Sequence, residues 1–413
     1  MVIENKNIYL DDISTTSVLP EVVAAMSPFW GEKFGNPSSI HGFGRDAIMA
    51  LDEARESVAR FFGVKDGEVY FTGSATEADN WALWGIAHGI AKKYKTPLSA
   101  LHIVVSAIEH KAVLAMAQRL ESEGVGVTYI SPTNEGLITA EAIKAAIRPN
   151  TILVSVMYVN NEVGAINPIA QIGRIVEQER QSRLNQQKAN QLQAISYKLP
   201  IHFHTDAVQA VQFLDCRLDY IKADALTFSG HKIYGPKGVG GLVIRESVPL
   251  EPLIIGGGQE ADKRSGTENI AGIVGLAKAL ELTTVWRASG GAAKIKKLRD
   301  ELWAGIKKNV SRSLLNGPDL ENENRVANNL NVCFKGADGE SLLIALDLAG
   351  VACSAGSACA AGATEPSHVL QAMGRSEADV RASIRFGLGR QNTEEEIEQV
   401  IKVLPDLVAK VSR

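Results

Sequence analysis

Short runs of consecutive apolar residues alternate along this chain with longer stretches in which apolar residues recur every three or four positions. Ile103-Val-Val-Ser106 and Ile152-Leu-Val-Ser-Val-Met-Tyr158 are short, β-branched and apolar at successive positions, the pattern of strands covered on both faces. Residues Ile40 to Phe62, Glu77 to Ala91, Lys111 to Ser122 and Pro168 to Arg183 carry the helical period. Strand and helix in turn predict an α/β domain with a mainly parallel sheet, and such sheets bind ligands at the carboxyl ends of their strands. Near Gly266 the pattern changes. A long helical stretch is expected from Asn269 to Val310, then a strand at Asn328 to Phe334, a loop of small residues at Cys353 to Ala363 and a terminal helix from Thr393. The segment Asn7 to Thr16 is expected to cross back to one of the two units.

Composition narrows the class without naming a chemistry. At 413 residues, two domains are the default expectation. A hydrophobic share of 45% with 22% charged residues describes a soluble globular chain, and a net charge of −4 offers no basic footprint for nucleic acid. No run approaches the roughly 18 apolar residues that span a membrane, and Met1-Val-Ile-Glu-Asn-Lys6 lacks the apolar core of a secretory signal. A cytoplasmic, reducing setting is the expectation. The four cysteines, Cys216, Cys333, Cys353 and Cys359, form no CxxC pair, so neither a disulfide framework nor a metal site is expected. Glu177 to Leu199, dense in glutamine and basic residues, reads as a solvated helical extension, with a docking surface as the alternative.

The chemistry gathers at strand ends. The apolar segment Ala225-Leu-Thr-Phe228 leads into Ser229-Gly-His-Lys232 and a glycine-rich run. A lysine in such a turn is either a solvated loop charge or, when desolvated, a nucleophile that forms a Schiff base with a carbonyl cofactor. Ile201-His-Phe-His-Thr-Asp206 reads as a strand that ends in a carboxylate, either a helix cap or the partner of a protonated pyridine nitrogen. Together, Asp206 and Lys232 point to pyridoxal 5′-phosphate (PLP), with the aspartate keeping the ring cationic as an electron sink. Phe71-Thr-Gly-Ser-Ala-Thr-Glu77 places small and hydroxyl residues before a helix, which suits either an ordinary cap or a phosphate cradle. His110 follows the strand Ile103 to Ser106 and is either a packed polar tip or a group that stacks on a ring and moves protons. Asn160-Asn-Glu162 is either an Asx turn or a donor to a ring oxygen. Cys353 to Gly362 has no bulky side chain, so it is either a buried alanine-rich helix or a mobile arm able to carry sulfur on Cys359.

The segments IYLDDISTT, FGNPSS, FTGSATEADN, EHKAVL, YVNNEVG, HTDAVQ, SGHKIYGPKG, RSGTEN, SAGSAC and SIRFGLGR occur in this order over nearly the whole chain. In them the sequence resembles the cysteine desulfurases of the NifS/IscS type, members of the class V aminotransferase family. The resemblance implies the PLP-dependent transferase fold type I. Residues 17–265 would form a large PLP-binding α/β domain with a mainly parallel seven-stranded sheet between helices. Residues 266–413 would form a smaller α+β C-terminal domain carrying the catalytic cysteine loop, and residues 1–16 would pack with that small domain. The implied activity converts L-cysteine to L-alanine and leaves sulfur on an enzyme cysteine as a persulfide, within a homodimer that serves a sulfur-acceptor protein, either an iron–sulfur scaffold or a tRNA-thiolation relay.

Position by position, the resemblance makes Lys232 the cofactor lysine, Asp206 the partner of the pyridine nitrogen and His110 the ring-stacking proton carrier. Asn161 and Gln209 would flank the ring oxygen. Ala75, Thr76, Ser229 and His231 would form the phosphate cradle, completed by Thr267 of the neighbouring subunit. Arg385 would clamp the substrate carboxylate, with Asn36 as a second contact, and Cys359 would be the nucleophile. The chain departs from the usual family motifs at Gly73-Ser-Ala-Thr76, Ile13-Ser-Thr-Thr16 and Cys359-Ala-Ala361, and it carries the additional thiol Cys353, either a passive filler or a redox partner. Rival readings are an aminotransferase, a selenocysteine lyase and a catalytically silent scaffold. The first needs no cysteine on a mobile loop, and the last has no use for the whole set of site residues.

Overall fold

The computed structural model describes residues 7–188, 199–355 and 366–412. Cys359 and the rest of the small-residue loop beyond Ala355 lie outside the described residues, as do residues 189–198 of the polar stretch Glu177 to Leu199.

The chain enters at strand β1 (Ile8–Tyr9) and then builds a seven-stranded sheet. Its strands are β2 (Val69–Thr72), β3 (His102–Ser106), β4 (Gly126–Ile130), β5 (Thr151–Ser155), β6 (His202–Asp206), β7 (Ala225–Ser229) and β8 (Gly240–Ile244), in the spatial order β2-β8-β7-β6-β5-β3-β4. Strands β4, β3, β5, β6 and β7 run parallel, and β8 is antiparallel to both β7 and β2. Every residue of β3, β5, β6, β7 and β8 is buried, because helices cover both faces.

The covering helices are α1 (Gly42–Phe62), α2 (Ala75–Tyr94), α3 (Lys111–Ser122), α4 (Ile169–Lys188) and α5 (Ile270–Ala288). Helix α2 lays Ala78, Trp81, Leu83, Ile86 and Ile90 into an apolar cluster with Val113 and Leu120 of α3. Residues of α1, α4 and α5 form a separate cluster with Val104, Val154, Phe203 and Phe228 of the sheet. After β4 the chain returns to place β5 on the other side of β3. The order therefore reverses between β3 and β5, which opens a crevice at their carboxyl ends.

The helical stretch expected over Asn269 to Val310 consists of two helices, α5 and α6 (Gly291–Asn309), broken where Gly290 adopts a φ of 82°. That left-handed backbone is accessible to glycine at little cost and ends the helix. The two helices also serve different cores. Ile270, Ile273, Leu276 and Leu280 of α5 pack into the sheet's cluster, whereas Ile295, Leu298, Leu302 and Ile306 of α6 pack into the second one. The division expected after residue 265 thus falls one helix before the packing changes.

The second core is completed by α7 (Gly339–Leu348), by α8 (Glu394–Val411) and by a small antiparallel sheet. Its strands are β9 (Ser313–Asn316) and β10 (Asn329–Phe334), then, after β11 (Val351–Ala352), β12 (Ser354–Ala355) and β13 (Ser383–Gly387), in the order β12-β13-β10-β9. Helix α8 starts on a capping box in which Thr393 Oγ1 accepts the Glu396 amide and Glu396 Oε2 accepts that of Thr393. Strand β1 pairs in parallel with β11, and Ile8 and Leu10 are buried in this second core. The N-terminal segment is thereby anchored to the small unit, while residues 11–16 run on toward the large one. Among the described residues no helix is long and apolar enough to cross a membrane.

Candidate active site

At the carboxyl end of the large sheet lies a cavity of about 310 Å³, lined among others by Ala75, Thr76, Asp79, His110, Asn161, Asp206, Gln209, His231, Lys232 and Arg385. Each comes from a turn that ends a strand, from the first turns of α2, or from the small sheet.

Asp206 closes β6 and is only 6% exposed. Its Oδ1 accepts the Val208 amide at 2.9 Å, which fixes the carboxylate in an Asx-type turn. Burial raises its pKa, against the opposing fields of His110 and Lys232. Two further buried acids were not singled out from the sequence. Asp79, one turn into α2, has its pKa pushed well up by burial and then by the charge of Asp206, and its Oδ1 has no hydrogen-bond partner among the described residues. Glu109, just before His110, accepts the Met157 amide at 2.6 Å and is likewise held well above the ordinary carboxylate range, chiefly by burial. His204 sits between Ser155 Oγ (2.9 Å) and Thr227 Oγ1 (3.1 Å), and burial lowers its pKa to about 3, so it stays neutral. Three carboxyl groups this deeply buried resist full ionisation, and a cationic ring nitrogen is the ligand group they favour.

The opposite end of the cavity suits a phosphate. Ser74 caps α2 by accepting the Glu77 amide at 3.2 Å, and the Ala75 and Thr76 backbone leads the helix, where N–H groups and the helix dipole favour an anion. Strand β8 approaches this turn so closely that a Cβ on Gly240 would lie 2.9 Å from the Ala75 nitrogen. His231 contributes a ring whose pKa is lowered to about 4 by burial and the neighbouring lysines, with Nδ1 at 3.1 Å from Thr15 Oγ1. The residues present therefore fit PLP: an acid for the ring nitrogen, a helix N-terminus for the phosphate and a lysine between them.

Lys232 lies on the single turn Gly230–Lys232, and its Nζ donates to the carbonyls of Ile13 and Ser14, both at 2.6 Å. Gln209 Nε2 donates to the same Ile13 carbonyl at 3.1 Å. His110 caps α3, and its Nδ1 accepts the Ala112 amide at 3.2 Å, so the neutral ring carries its proton on Nε2. Arg385, from β13, donates through Nη1 to the Asn161 carbonyl at 3.0 Å.

Not every candidate converges on the cavity. Ser229 is buried at the end of β7 and is not among the lining residues. Asn36 is exposed in a turn where its Oδ1 accepts the Ser38 amide, and Thr267 is exposed as well; neither lines the cavity of its own chain. Cys359 lies outside the described residues. Of the other thiols, burial raises Cys216 to about 12, Cys333 to about 11 and Cys353 higher still. Asp11, Ile13, Ser14, Asp79, Glu109 and His368 are members of the site region that the sequence reading did not assign. Only Asp79 leaves a local trace, an acid on the otherwise apolar face of a helix.

Residues 8–184 and 185–400 match the family Aminotransferase class-V. The chain is 43% identical over 408 residues to the cysteine desulfurase IscS of Methanosarcina thermophila, covering 99% of this chain and 93% of that one. It is 41% identical over 406 residues to the protein of the same name from Dictyoglomus turgidum, covering 98% and 95%. Among solved structures, a NifS-like protein superposes with a TM-score of 0.85 at 34% identity over 98% of this chain and 100% of that one. SspA in complex with cysteine does so with a TM-score of 0.73 at 33% identity over 94% and 100%. Likeness of this breadth, reaching from the first strand to the last helix, places the chain in the class-V aminotransferase family as a PLP-dependent cysteine desulfurase.

Proposed function

We propose that this enzyme takes the sulfur of L-cysteine onto Cys359 as a persulfide, releases L-alanine and passes the sulfur to an acceptor protein. The observation that carries this reading is the convergence of Lys232, Asp206 and Arg385 on one cavity. Bound there, PLP would supply an aldehyde for Lys232 and an electron sink next to the substrate α-carbon.

The chain's own residues account for the rest. Asp206, held in place by the Val208 amide, would keep the ring nitrogen cationic. The first turn of α2 and His231 receive the phosphate. Arg385 takes the substrate carboxylate and so turns the α-carbon toward Lys232, with a guanidinium fork that an ammonium lacks. Lys232 Nζ, when not joined to the cofactor, would be placed to accept the α-proton, and His110 Nε2 would be the second proton carrier at the cavity wall. Asn161 and Gln209 fit the role of donors beside the ring oxygen.

Sulfur transfer is a displacement at sulfur. The Cys359 thiolate attacks the substrate sulfur, the new S–S bond forms as the substrate C–S bond breaks, and the electron pair left on carbon is finally protonated to give alanine. A thiolate is required, and the thiols of Cys216, Cys333 and Cys353 are all held protonated by burial. That supports the assignment of the nucleophile to Cys359.

A homodimer fits the surface. Trp30, Phe34, Ile40, Phe43, Met49 and Ile255 are exposed, an unusual concentration of large apolar groups in two stretches of one chain. Thr267, outside the cavity of its own chain, would complete the phosphate site of the second copy. A cytoplasmic setting fits a chemistry that depends on a free thiol. The acceptor would be an iron–sulfur scaffold or a thiolation relay.

Purified protein supplied with PLP, L-cysteine and a thiol reductant should form alanine and sulfide in equal amounts. Alanine formation that requires a 2-oxo acid would make the enzyme an aminotransferase and overturn the reading.

A further inference from the structure

Arg385 is buried with an anion already beside it. Its side chain is 2% exposed, that of Asp11 is 17% exposed, and Arg385 Nη2 lies 3.1 Å from Asp11 Oδ1. The two hydrogens of Nη2 both have acceptors, Asp11 Oδ1 and Ser14 Oγ at 2.8 Å, and Ser14 Oγ in turn donates to Asp11 Oδ1 at 2.8 Å. Nη1 donates to the Asn161 carbonyl. A guanidinium grips a carboxylate with parallel N–H groups from two nitrogens. A substrate carboxylate arriving at the Nη1–Nη2 edge therefore finds Asp11 and Ser14 in its place, and one of them must give way.

The placement of Asp11 makes an exchange of partners feasible. It lies on the stretch that leaves β1, not within the large sheet, and the same stretch holds Lys232 through the Ile13 and Ser14 carbonyls. Ser14 Oγ is also 3.5 Å from Ser354 Oγ in β12, at the start of the small-residue loop. Residues 11–14 thus touch the cofactor lysine, the substrate arginine and the root of the segment that bears Cys359. A buried guanidinium without a counterion is costly, so a site that must wait for an anionic substrate gains from an internal one.

The geometry points to Asp11 as a placeholder for the substrate carboxylate. It neutralises Arg385 in the substrate-free site, yields part of the guanidinium when the α-carboxylate of L-cysteine binds, and thereby sets how tightly substrate is held. This rests on Arg385 being the carboxylate clamp.

The test compares Asp11→Asn, which keeps an acceptor oxygen but removes the competing charge, with Arg385→Ala. In Asp11→Asn the KM for L-cysteine should fall by about tenfold with kcat changed less than about twofold, since a charge-assisted rival has been weakened. A second readout needs no turnover: sodium acetate should raise the unfolding temperature of Asp11→Asn at concentrations that leave the wild type unmoved, because it replaces the missing anion. Folding of the variant only in acetate supports the same conclusion. A KM that is unchanged or raised in Asp11→Asn, with no response to acetate, overturns the placeholder. So does failure of both Asp11→Asn and Asp11→Ser to fold in acetate, since the carboxylate is then purely structural. Arg385→Ala separates the two layers: if it leaves the KM unchanged, the clamp assignment itself falls.

Discussion

The two halves of the cavity are built on different principles. The cofactor half is drawn from residues 74–232, on the strand ends and helix starts of one sheet, and burial pushes Asp79, Glu109 and Asp206 up and His231 down. The half proposed to hold the substrate joins Asp11 and Ser14, the Asn161 carbonyl and Arg385, residues as far as 374 positions apart, through contacts between charged and polar groups. Burial fixes a protonation pattern before any ligand arrives, as a permanent cofactor needs. A charge pair at the junction of two units can exchange partners, as a substrate that comes and goes needs.

Lys232 belongs to both halves, so its loss has the largest effect. Lys232→Ala should abolish the lysine-dependent visible absorbance of the PLP-loaded protein and reduce turnover by at least about a thousandfold. Retention of both would remove Lys232 from the mechanism. Asp206→Ala strikes the cofactor half alone. Turnover should drop about a hundredfold and PLP should dissociate more readily in equilibrium dialysis, while the KM for L-cysteine moves little. A shift confined to KM would erase the distinction between the halves.

Asp12 tests the tuning by burial away from the chemistry. Burial raises its pKa from 3.8 to about 7, against hydrogen bonds from Gln391 and Tyr234. The folded state then binds a proton that the unfolded state has lost, so this group's contribution is most favourable below pH 4 and falls as pH rises to 7. Asp12→Asn should remove that fall. Its stability relative to wild type, measured by urea unfolding, should gain on the order of 4 kcal/mol between pH 4 and 7 and level off above. A difference that stays flat over this range would show that Asp12 ionises normally. The smallest effect is expected at Cys353. Although it lies in the fields of Asp11 and Arg385, burial keeps its thiol protonated, and Cys353→Ser should retain activity within about twofold. Loss of sulfur transfer in that variant would make Cys353 the carrier.

The same contrast governs what the sequence could reveal. Strands β3, β5 and β7 are legible because burial on both faces demands mostly apolar residues, and Lys232 stands out just past the point where such a run stops, whereas β6, equally buried, reads His-Phe-His-Thr-Asp and carries no apolar run. Strand β4, at the sheet edge, is mostly half-buried and has no such signature. The break at Gly290 is not legible in the apolar periodicity, which continues on both sides of it, although the two helices face different cores. Asp11 and Ser14 could not be assigned locally, since their role arises from a neighbour in β13 at the far end of the chain. Glu109 was hidden beside His110 in a turn whose polar residues all look alike until one of them is found buried.

The account's central claim is that this cavity works on L-cysteine and hands its sulfur to Cys359. PLP-loaded protein should be mixed with L-cysteine in the absence of reductant, then digested and examined by mass spectrometry with alkylation of free thiols. The account predicts the added mass of one sulfur atom on the peptide containing Cys359, in proportion to the alanine formed, and its disappearance in Cys359→Ser. Sulfur added to the Cys353 peptide instead, or alanine formed with no sulfur on any cysteine, would contradict it.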